Sequence, residues 1–509
     1  MTRAFAIAVL LTQTWAHGQD LASYNRALAT YNASDFDEAI RRFYELANTA
    51  TEPDVKAKSE YYLGVSLQHA GLPFAAFVYL TPVVKAGPTH PLHAKGVEAF
   101  VALQETLDDD YLIPSILNNT YDAFADAWAT ASPEVLARIN YLIGRISYRK
   151  ALFDDARLFL EAVPPTSQFH ARARYMLGVA LADPRFPAAD DAERRLNATK
   201  AVETFERVLT ITTPQLDFAD TRQLTFLALG RVNYNLGEYG RAVEWYEKVP
   251  RFSKYWDQAL FEDGFARFQN DDLGGGLGSL QALYAPQFAG AFQPESWVLT
   301  ATIYYFACLY PEAKASLREF EKIYLPMAEQ LRPFVEAADR DLPSFYRLVA
   351  DPSSDRLPRP VLNWVRSNRR MLGLFAMLNE IEKEKARLRD TPALVAAQIT
   401  SEVIAALDEN RGTLEQVAGN FARARLQEAQ ASIKSFSGQV EIIRFEIAKA
   451  ETALAESGRD SRRALEEQAL HRPKMPSEGW NYWKFEGEFW RDEIGYYQYT
   501  LKRGCPTER

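Results

Sequence analysis

The chain is poor in the residues from which catalytic and metal centres are commonly built. Its 509 residues include only two cysteines and six histidines, which excludes a disulfide-dense scaffold. His90 and His93 lie in a loop with two prolines and no further metal ligand nearby. The glycine run at 274–278 lacks the lysine of a phosphate-binding loop. We therefore expect no enzyme, no cofactor and no metal site.

Long apolar runs and an excess of positive charge are also missing. After the first twenty residues no run approaches the roughly 18 apolar residues that a membrane-spanning helix needs, and the net charge is −9. An acidic chain does not favour nucleic-acid binding. We expect partners that are neither nucleic acid nor a membrane core.

The N-terminus has the pattern of a secretory signal peptide. Arg3 precedes the apolar stretch 4–11, and Ala16-His17-Gly18 provides small residues for cleavage. We predict that residues 1–18 are removed and that the mature protein is periplasmic. The alternative is a cytosolic chain whose first helix happens to be apolar.

Two stretches, 141–164 and 226–250, repeat nearly the same sequence. In each, a glycine is followed by a tyrosine four positions later, then by an aromatic residue, an alanine and a closing Val-Pro. A helix-turn-helix unit of this size cannot bury its apolar face alone, so copies must stack into a solenoid. The small residue expected where two helices cross recurs along the chain, at Ala27, Gly64, Gly96, Gly144, Gly178, Gly230, Gly264 and Ala301.

This spacing resembles the tetratricopeptide repeat (TPR) family, whose unit is about 34 residues. The resemblance implies an all-α fold, a TPR-like right-handed α-solenoid of about eight units over residues 19–324. It also implies a binding surface rather than a catalytic site. The segment 183–197 reads as an insertion, and the unit around Gly96 is degenerate.

Beyond the repeats the pattern changes to long helices. We predict a Pro-rich connector at 325–360, a long-helix hairpin or coiled coil at 361–470 with a break at 390–392, and an aromatic C-terminal segment at 471–509 that forms a helix. The strict apolar rhythm of Ile433, Val440 and Ile447 fits a seam. That seam could pair within the chain or between chains, and an ordinary bundle packed on the last repeat fits as well.

The aromatic tail must pack against something, because exposed aromatic rings are costly in water. We favour docking on its own chain over a partner or membrane surface. The tail and the stretch 294–320 also resemble exported TPR proteins of deltaproteobacterial envelopes, including those of the myxobacterial gliding-motility machinery. Cys308 and Cys505 could form a disulfide that holds the tail, although two free thiols are the favoured expectation.

The TPR resemblance implies a concave groove lined by the first helix of each unit. On this chain the inward positions and their neighbours form a basic-aromatic strip that suits an acidic segment or a C-terminal carboxylate. Alternatively, the arginines bridge Glu134, Asp154 and Asp155. The predicted groove residues are Arg138, Tyr141, Arg145, Tyr148, Arg149, Arg172, Arg231 and Tyr234.

The sequence therefore predicts an exported, non-catalytic scaffold that makes protein–protein contacts in the bacterial cell envelope, in a motility or envelope-assembly complex. The alternative is a peptidoglycan-associated factor or a regulator of a cell-wall enzyme.

Overall fold

The structure, a computed structural model, describes most of the chain. The described residues are 19–107, 109, 112–119, 131–215, 217–336, 341–395, 397–456, 483, 485–502 and 504–505. The predicted signal peptide at 1–18 lies outside them. Within these ranges the fold is all-α and contains no β-strand, as expected from the repeats.

The helices follow one another with short connections. The first half contains α1 at 19–32, α2 Phe36–Thr49, α3 Pro53–His69, α4 Pro73–Lys85, α5 His93–Thr106, α6 Leu112–Asn119, α7 Pro133–Arg149, α8 Phe153–Glu161, α9 His170–Ala182, α10 Asp191–Leu209, α11 Phe218–Asn235 and α12 Tyr239–Tyr246. The second half contains α13 Trp256–Gln269, α14 Leu273–Leu283, α15 Pro294–Phe306, α16 Tyr310–Val335, α17 Leu342–Ala350, α18 Arg359–Arg366, α19 Arg369–Asp390, α20 Pro392–Val395 and α21 Gln398–Glu456.

Several helices begin at residues whose chemistry favours a start. Ser132 precedes Pro133 and accepts a hydrogen bond from the Val135 N–H (3.3 Å) at the start of α7. Asp272 caps α14 in the same way, accepting from the Gly275 N–H at 2.9 Å. These side chains satisfy backbone donors that the first helical turn leaves unpaired.

The chain divides into two compact units. Unit 1 comprises Met1–Ala173 and Arg369–Gly419, and unit 2 comprises Arg174–Asn368 and Asn420–Arg509. Each unit therefore combines helices of the repeats with a segment from the C-terminal part of the sequence.

The small residues of the repeat lie where two helices of a pair cross. The glycine faces the side chain found 16 positions later in the second helix, and a Cβ added to it would lie at most 3.2 Å from that side chain. This geometry holds at four pairs, Gly64 with Leu80, Gly144 with Leu160, Gly230 with Tyr246 and Gly264 with Leu280. In the pair with the 183–197 insertion, Gly178 meets Phe205 instead. Gly96, in the degenerate unit, faces Val83 of the preceding helix α4.

In unit 1 the predicted hairpin forms between α19 and the first part of α21. Lys385 pairs with Asp408 (2.6 Å) and Glu382 with Arg411 (2.7 Å), a register that is antiparallel. Glu384 of α19 is buried and accepts hydrogen bonds from the Phe74 N–H (2.5 Å) and the Ala75 N–H (3.0 Å). It thereby caps the N-terminus of α4, whose first residue is Pro73.

In unit 2 the last part of α21 packs against α16. Lys314 pairs with Glu451 and Glu321 with Arg444, both at 2.6 Å. Ile433, Val440 and Ile447 are buried, so the regular apolar rhythm of this segment is packed within the chain. The sequence allowed either a hairpin seam or a bundle packed on the last repeat. This part of α21 packs on the last repeat.

Three expectations for the C-terminal half need correction. Helix α16 continues to Val335 through Pro326 and Pro333, inside the predicted connector. No helix forms in the described part of the tail (485–502 and 504–505), which is extended with a turn at 491–495. The expectation of free thiols is also wrong, because Cys308 and Cys505 form a disulfide with a Cα–Cα distance of 5.0 Å.

Candidate protein-interaction site

Arg138, the first residue of the predicted strip, lies in the interior of unit 1. It is 7% exposed and bonds Glu105 Oε2 at 2.9 Å and Gln104 Oε1 at 3.0 Å. Its guanidinium also lies 5.3 Å from the Phe169 ring centre. Burial lowers the pKa of Arg138, against the opposite effect of Glu105. The side chain joins α5, α7 and the start of α9, and this structural role was not foreseen.

Tyr141 and Arg145 are buried as well. Tyr141 stacks on Phe169 with 5.8 Å between ring centres, and the Arg145 guanidinium lies 5.4 Å from the Tyr141 ring. Tyr148, at the end of α7, is half-buried with its ring 6.1 Å from Phe153. Arg145, one of the predicted groove residues, is thus largely covered by the protein.

The other predicted residues are more accessible. Arg149 is exposed at the end of α7, and Arg172 is half-buried on α9. In unit 2, Arg231 is 47% exposed but donates through two nitrogens to Glu262, with distances of 2.6–3.1 Å. Tyr234 is half-buried, with its ring 5.2 Å from Tyr239 and 5.9 Å from Phe265.

Two of the predicted arginines pair with acidic residues outside the set proposed from the sequence. Arg138 pairs with Glu105 and Arg231 pairs with Glu262, while Glu134 accepts a hydrogen bond from the Ser167 hydroxyl at 3.1 Å. The strip is divided between the two units, with six residues in unit 1 and two in unit 2. A binding role for these eight residues stays a prediction.

Unit 2 presents a groove that the sequence analysis missed. It has a volume of about 810 Å³ and lies at the end of α10 and along α11 and α12. Five side chains supply most of its apolar surface, namely Leu209, Phe218, Phe226, Trp245 and Pro250. We call this surface the α11–α12 groove.

Two exposed cations, Arg222 and Lys248, line the groove beside its aromatic floor. Lys248 Nζ lies 3.6 Å from the Trp245 ring centre, and the Arg222 guanidinium lies 5.6 Å from that of Phe226. Among the described residues neither cation has an ion-pair partner. Their positions over the rings are held by cation–π attraction, which leaves their charges available to a ligand.

The chemistry of the groove suits a partner that carries both negative charge and apolar bulk. An apolar floor binds aliphatic or aromatic side chains, while arginine and lysine bind carboxylates. The sequence held a weak signal for it, since Arg222 and Phe226 are four apart on α11, and Lys248 follows Trp245 by three residues, in the turn after α12. The TPR frame does not predict it, because its inward positions on α11 are Arg231 and Tyr234 and do not include Arg222 and Phe226.

Both ring nitrogens of His90 contact the backbone of the protein. His90 uses Nε2 toward the Ala57 carbonyl (2.9 Å) and accepts from the Leu92 N–H at Nδ1 (3.1 Å). Among residues the structure describes, no group of three or more His, Cys, Asp or Glu side chains is arranged to hold a metal ion. None of the described helices has the length and apolarity to span a bilayer.

Comparison with known proteins identifies no family. No family model matches the chain, and no curated protein matches it either. Among solved structures, the crystal structure of the apo form of RapI aligns with 82% of this chain and 99% of its own, at 11% identity and a TM-score of 0.32. At that TM-score the likeness does not establish a relative.

Proposed function

We propose that this protein is an exported, non-catalytic TPR-type scaffold that binds another protein in the bacterial cell envelope, within an envelope-assembly or motility complex. The observation that carries the proposal is the α11–α12 groove, where two cations without ion-pair partners in the described chain flank an apolar surface. Repeats of this kind bury their cores by stacking and leave extended surfaces for partners.

The groove also supports a specific partner chemistry. Arg222 and Lys248 face a surface of aromatic and aliphatic side chains, so an acidic segment with an apolar anchor would satisfy both features. Such anchors in pockets commonly dominate the affinity of protein–protein contacts.

The disulfide supports the proposed export. Structural disulfides form and persist in oxidising compartments such as the periplasm and are rare in the cytosol. Cys308 and Cys505 are bonded across 197 residues of sequence, which agrees with the secretory pattern at 1–18.

The test is in-cell crosslinking followed by pull-down from fractionated cells, using the full chain. Arg222→Glu combined with Lys248→Glu should weaken binding of the periplasmic partner by about 2 kcal/mol, which is roughly 30-fold in affinity. Capture of the crosslinked partner should fall accordingly. Lys200→Glu combined with Arg207→Glu on the exposed face of α10 is the matched control and should leave capture unchanged. Equal capture by both variants would disprove the groove as the binding site. Sedimentation of the wild type with purified sacculi, without a captured protein, would instead favour the peptidoglycan-associated alternative.

A further inference from the structure

Two backbone hydrogen bonds join the tail to the repeat helices of unit 2. The Tyr499 N–H donates to the Gly274 carbonyl at 3.1 Å, and the Gly504 N–H donates to the Ala307 carbonyl at 2.7 Å. The second of these contacts lies next to the disulfide between Cys308 and Cys505. The tail is therefore held as an extended segment along α14 and the end of α15.

The side chain of Arg251 also binds the main chain of the tail. Its Nη2 donates to the carbonyls of Arg491 (2.9 Å), Asp492 (3.1 Å) and Ile494 (2.6 Å). Its guanidinium also lies 4.6 Å from the Tyr496 ring centre. One side chain of the repeats thus fixes the turn at 491–495 from outside.

The glycine run at 274–278 explains how the tail approaches so closely. A Cβ on Gly278 would collide with the Tyr497 carbonyl, and a Cβ on Gly274 would collide with the Tyr499 carbonyl. Gly274, Gly278 and Gln281 are spaced along one side of α14, and Gln281 Oε1 accepts from the Tyr499 hydroxyl at 3.2 Å. We call these three residues the glycine face.

Apolar side chains of the tail complete the contact. Ile494 is fully buried, and Tyr497 and Tyr499 pack on the cluster that includes Leu277 and Trp256. Main-chain hydrogen bonds combined with a few side-chain pockets are how extended peptides are generally recognised. The tail thus has the features of a bound peptide that is supplied by its own chain.

We propose that the glycine face is a peptide-binding surface that also accepts the tail of a second copy of this chain, so that tails exchange between molecules when the disulfide opens. We infer a second copy as the partner because every copy of the chain carries the tail segment that fits Arg251, the glycine face and Cys308. Exchange of an identical element between copies preserves every contact and needs no new complementarity. This inference goes beyond the proposed function and does not depend on the α11–α12 groove.

The opening and closing step is thiol–disulfide exchange. A dithiol reductant of the thioredoxin class reduces the Cys308–Cys505 bond to two thiols and is itself oxidised to a disulfide. Reclosure in a glutathione buffer joins the two sulfurs again while one oxidised glutathione gives two reduced glutathiones. After exchange, Cys308 of one copy is bonded to Cys505 of another.

Complementary single-cysteine chains test the proposal with full-length protein. Cys308→Ser retains only Cys505, and Cys505→Ser retains only Cys308, so a Cys308–Cys505 bond between them must be intermolecular. The two variants are mixed in a glutathione redox buffer, and the linkage is identified by non-reducing electrophoresis and peptide mass spectrometry. We expect this heterodimer to accumulate, since oxidation captures each exchanged tail despite competition from the tail of the same chain.

Matched glycine substitutions distinguish docking from random collision. In the single-cysteine chains no disulfide retains the chain's own tail, so the glycine face is open to an incoming tail. Gly278→Val in the Cys505→Ser chain should then lower the heterodimer yield at least about tenfold, because overpacking of this size strongly weakens a contact. Gly438→Val in the same chain is the control, since a Cβ there meets nothing within 4 Å. On the tail side, Gly495→Val in the Cys308→Ser chain meets Trp256, whereas Gly487→Val has the same kind of positive φ and open space.

The outcomes are decisive in either direction. Heterodimer that depends on Gly278 and Gly495 but not on Gly438 and Gly487 supports the proposal. Absence of heterodimer, or equal yields with all four valine variants, overturns it. Circular dichroism checks that Gly278→Val folds; if it does not, Gly495→Val, which lies in the tail, carries the test.

Discussion

The two units attach their C-terminal segments to their repeats with different chemistry. In unit 1, α19 is joined to α4 by the buried carboxyl group of Glu384, which accepts two backbone hydrogen bonds. In unit 2, the tail is joined by a disulfide, by backbone hydrogen bonds and by Arg251. The packing of helix pairs inside both units is nevertheless the same. We conclude that the repeats supply a uniform framework and that the attachments give each unit its own sensitivity to conditions.

The disulfide should give the largest difference between the units. Cys308→Ser combined with Cys505→Ser should lower the unfolding free energy of unit 2 by up to about 5 kcal/mol, the chain-entropy figure for a loop of this length. Unit 1 should be unchanged because neither cysteine belongs to it. Scanning calorimetry with and without a phosphine reductant measures this, and a loss shared equally by both units would contradict the assignment.

The crossing glycines should instead affect the two units alike. Gly144→Val forces a Cβ onto Leu160 in unit 1, and Gly230→Val forces one onto the Tyr246 ring in unit 2. Each should cost its own unit about 2–3 kcal/mol, since overpacking a closed contact displaces side chains and backbone. Gly412→Val, on α21 with open space around it, is the control. Denaturant titration would reject the idea of a common framework if only one of the two glycines proved sensitive.

Glu384 should make unit 1 pH-dependent to a smaller extent. Burial raises the pKa of Glu384 from 4.5 to about 8, with Glu380 adding to the rise and the two backbone donors opposing it. The folded state therefore binds more protons between these values. The contribution to stability is full below pH 4.5 and is lost as the pH rises through 8. We expect unit 1 to be less stable at pH 9 than at pH 5 by about 1 kcal/mol or more.

The control for this effect is Glu384→Gln, which keeps the size of the side chain but cannot ionise. The melting temperature of unit 1 in this variant should change less between pH 5 and pH 9 than in the wild type. An unchanged pH dependence would show that other groups are responsible.

The sequence predicted the part of the fold that repeats. Gly144 and Gly230 each contact a side chain 16 positions later, in the second helix of the same repeat. The contact is therefore determined by the sequence of a single repeat. The antiparallel pairing after the break at 390–392 was likewise encoded by local apolar rhythm and a helix-starting proline.

The candidate sites were harder to predict because the residues that pair with one another lie in different repeats. Arg138 finds Glu105 on the preceding helix pair and Arg231 finds Glu262 on the following one, and no spacing rule within one unit gives those partners. The tail was read as a helix because Trp490, Ile494, Tyr497 and Leu501 have helical spacing. Its backbone is extended because Gly274, Ala307 and Arg251 bind its amides and carbonyls.

The four glycines of α14 also determine when unit 2 becomes fully ordered. Glycine is a poor helix former, costing about 1 kcal/mol per residue relative to alanine, and four of the eleven residues of α14 are glycine. The residues that cover its outer side, Tyr497 and Tyr499, lie near the C-terminus. Since translation proceeds from the N-terminus, α14 lacks this cover until residues 497–499 have been synthesised. Final ordering of unit 2 therefore follows the synthesis of the tail.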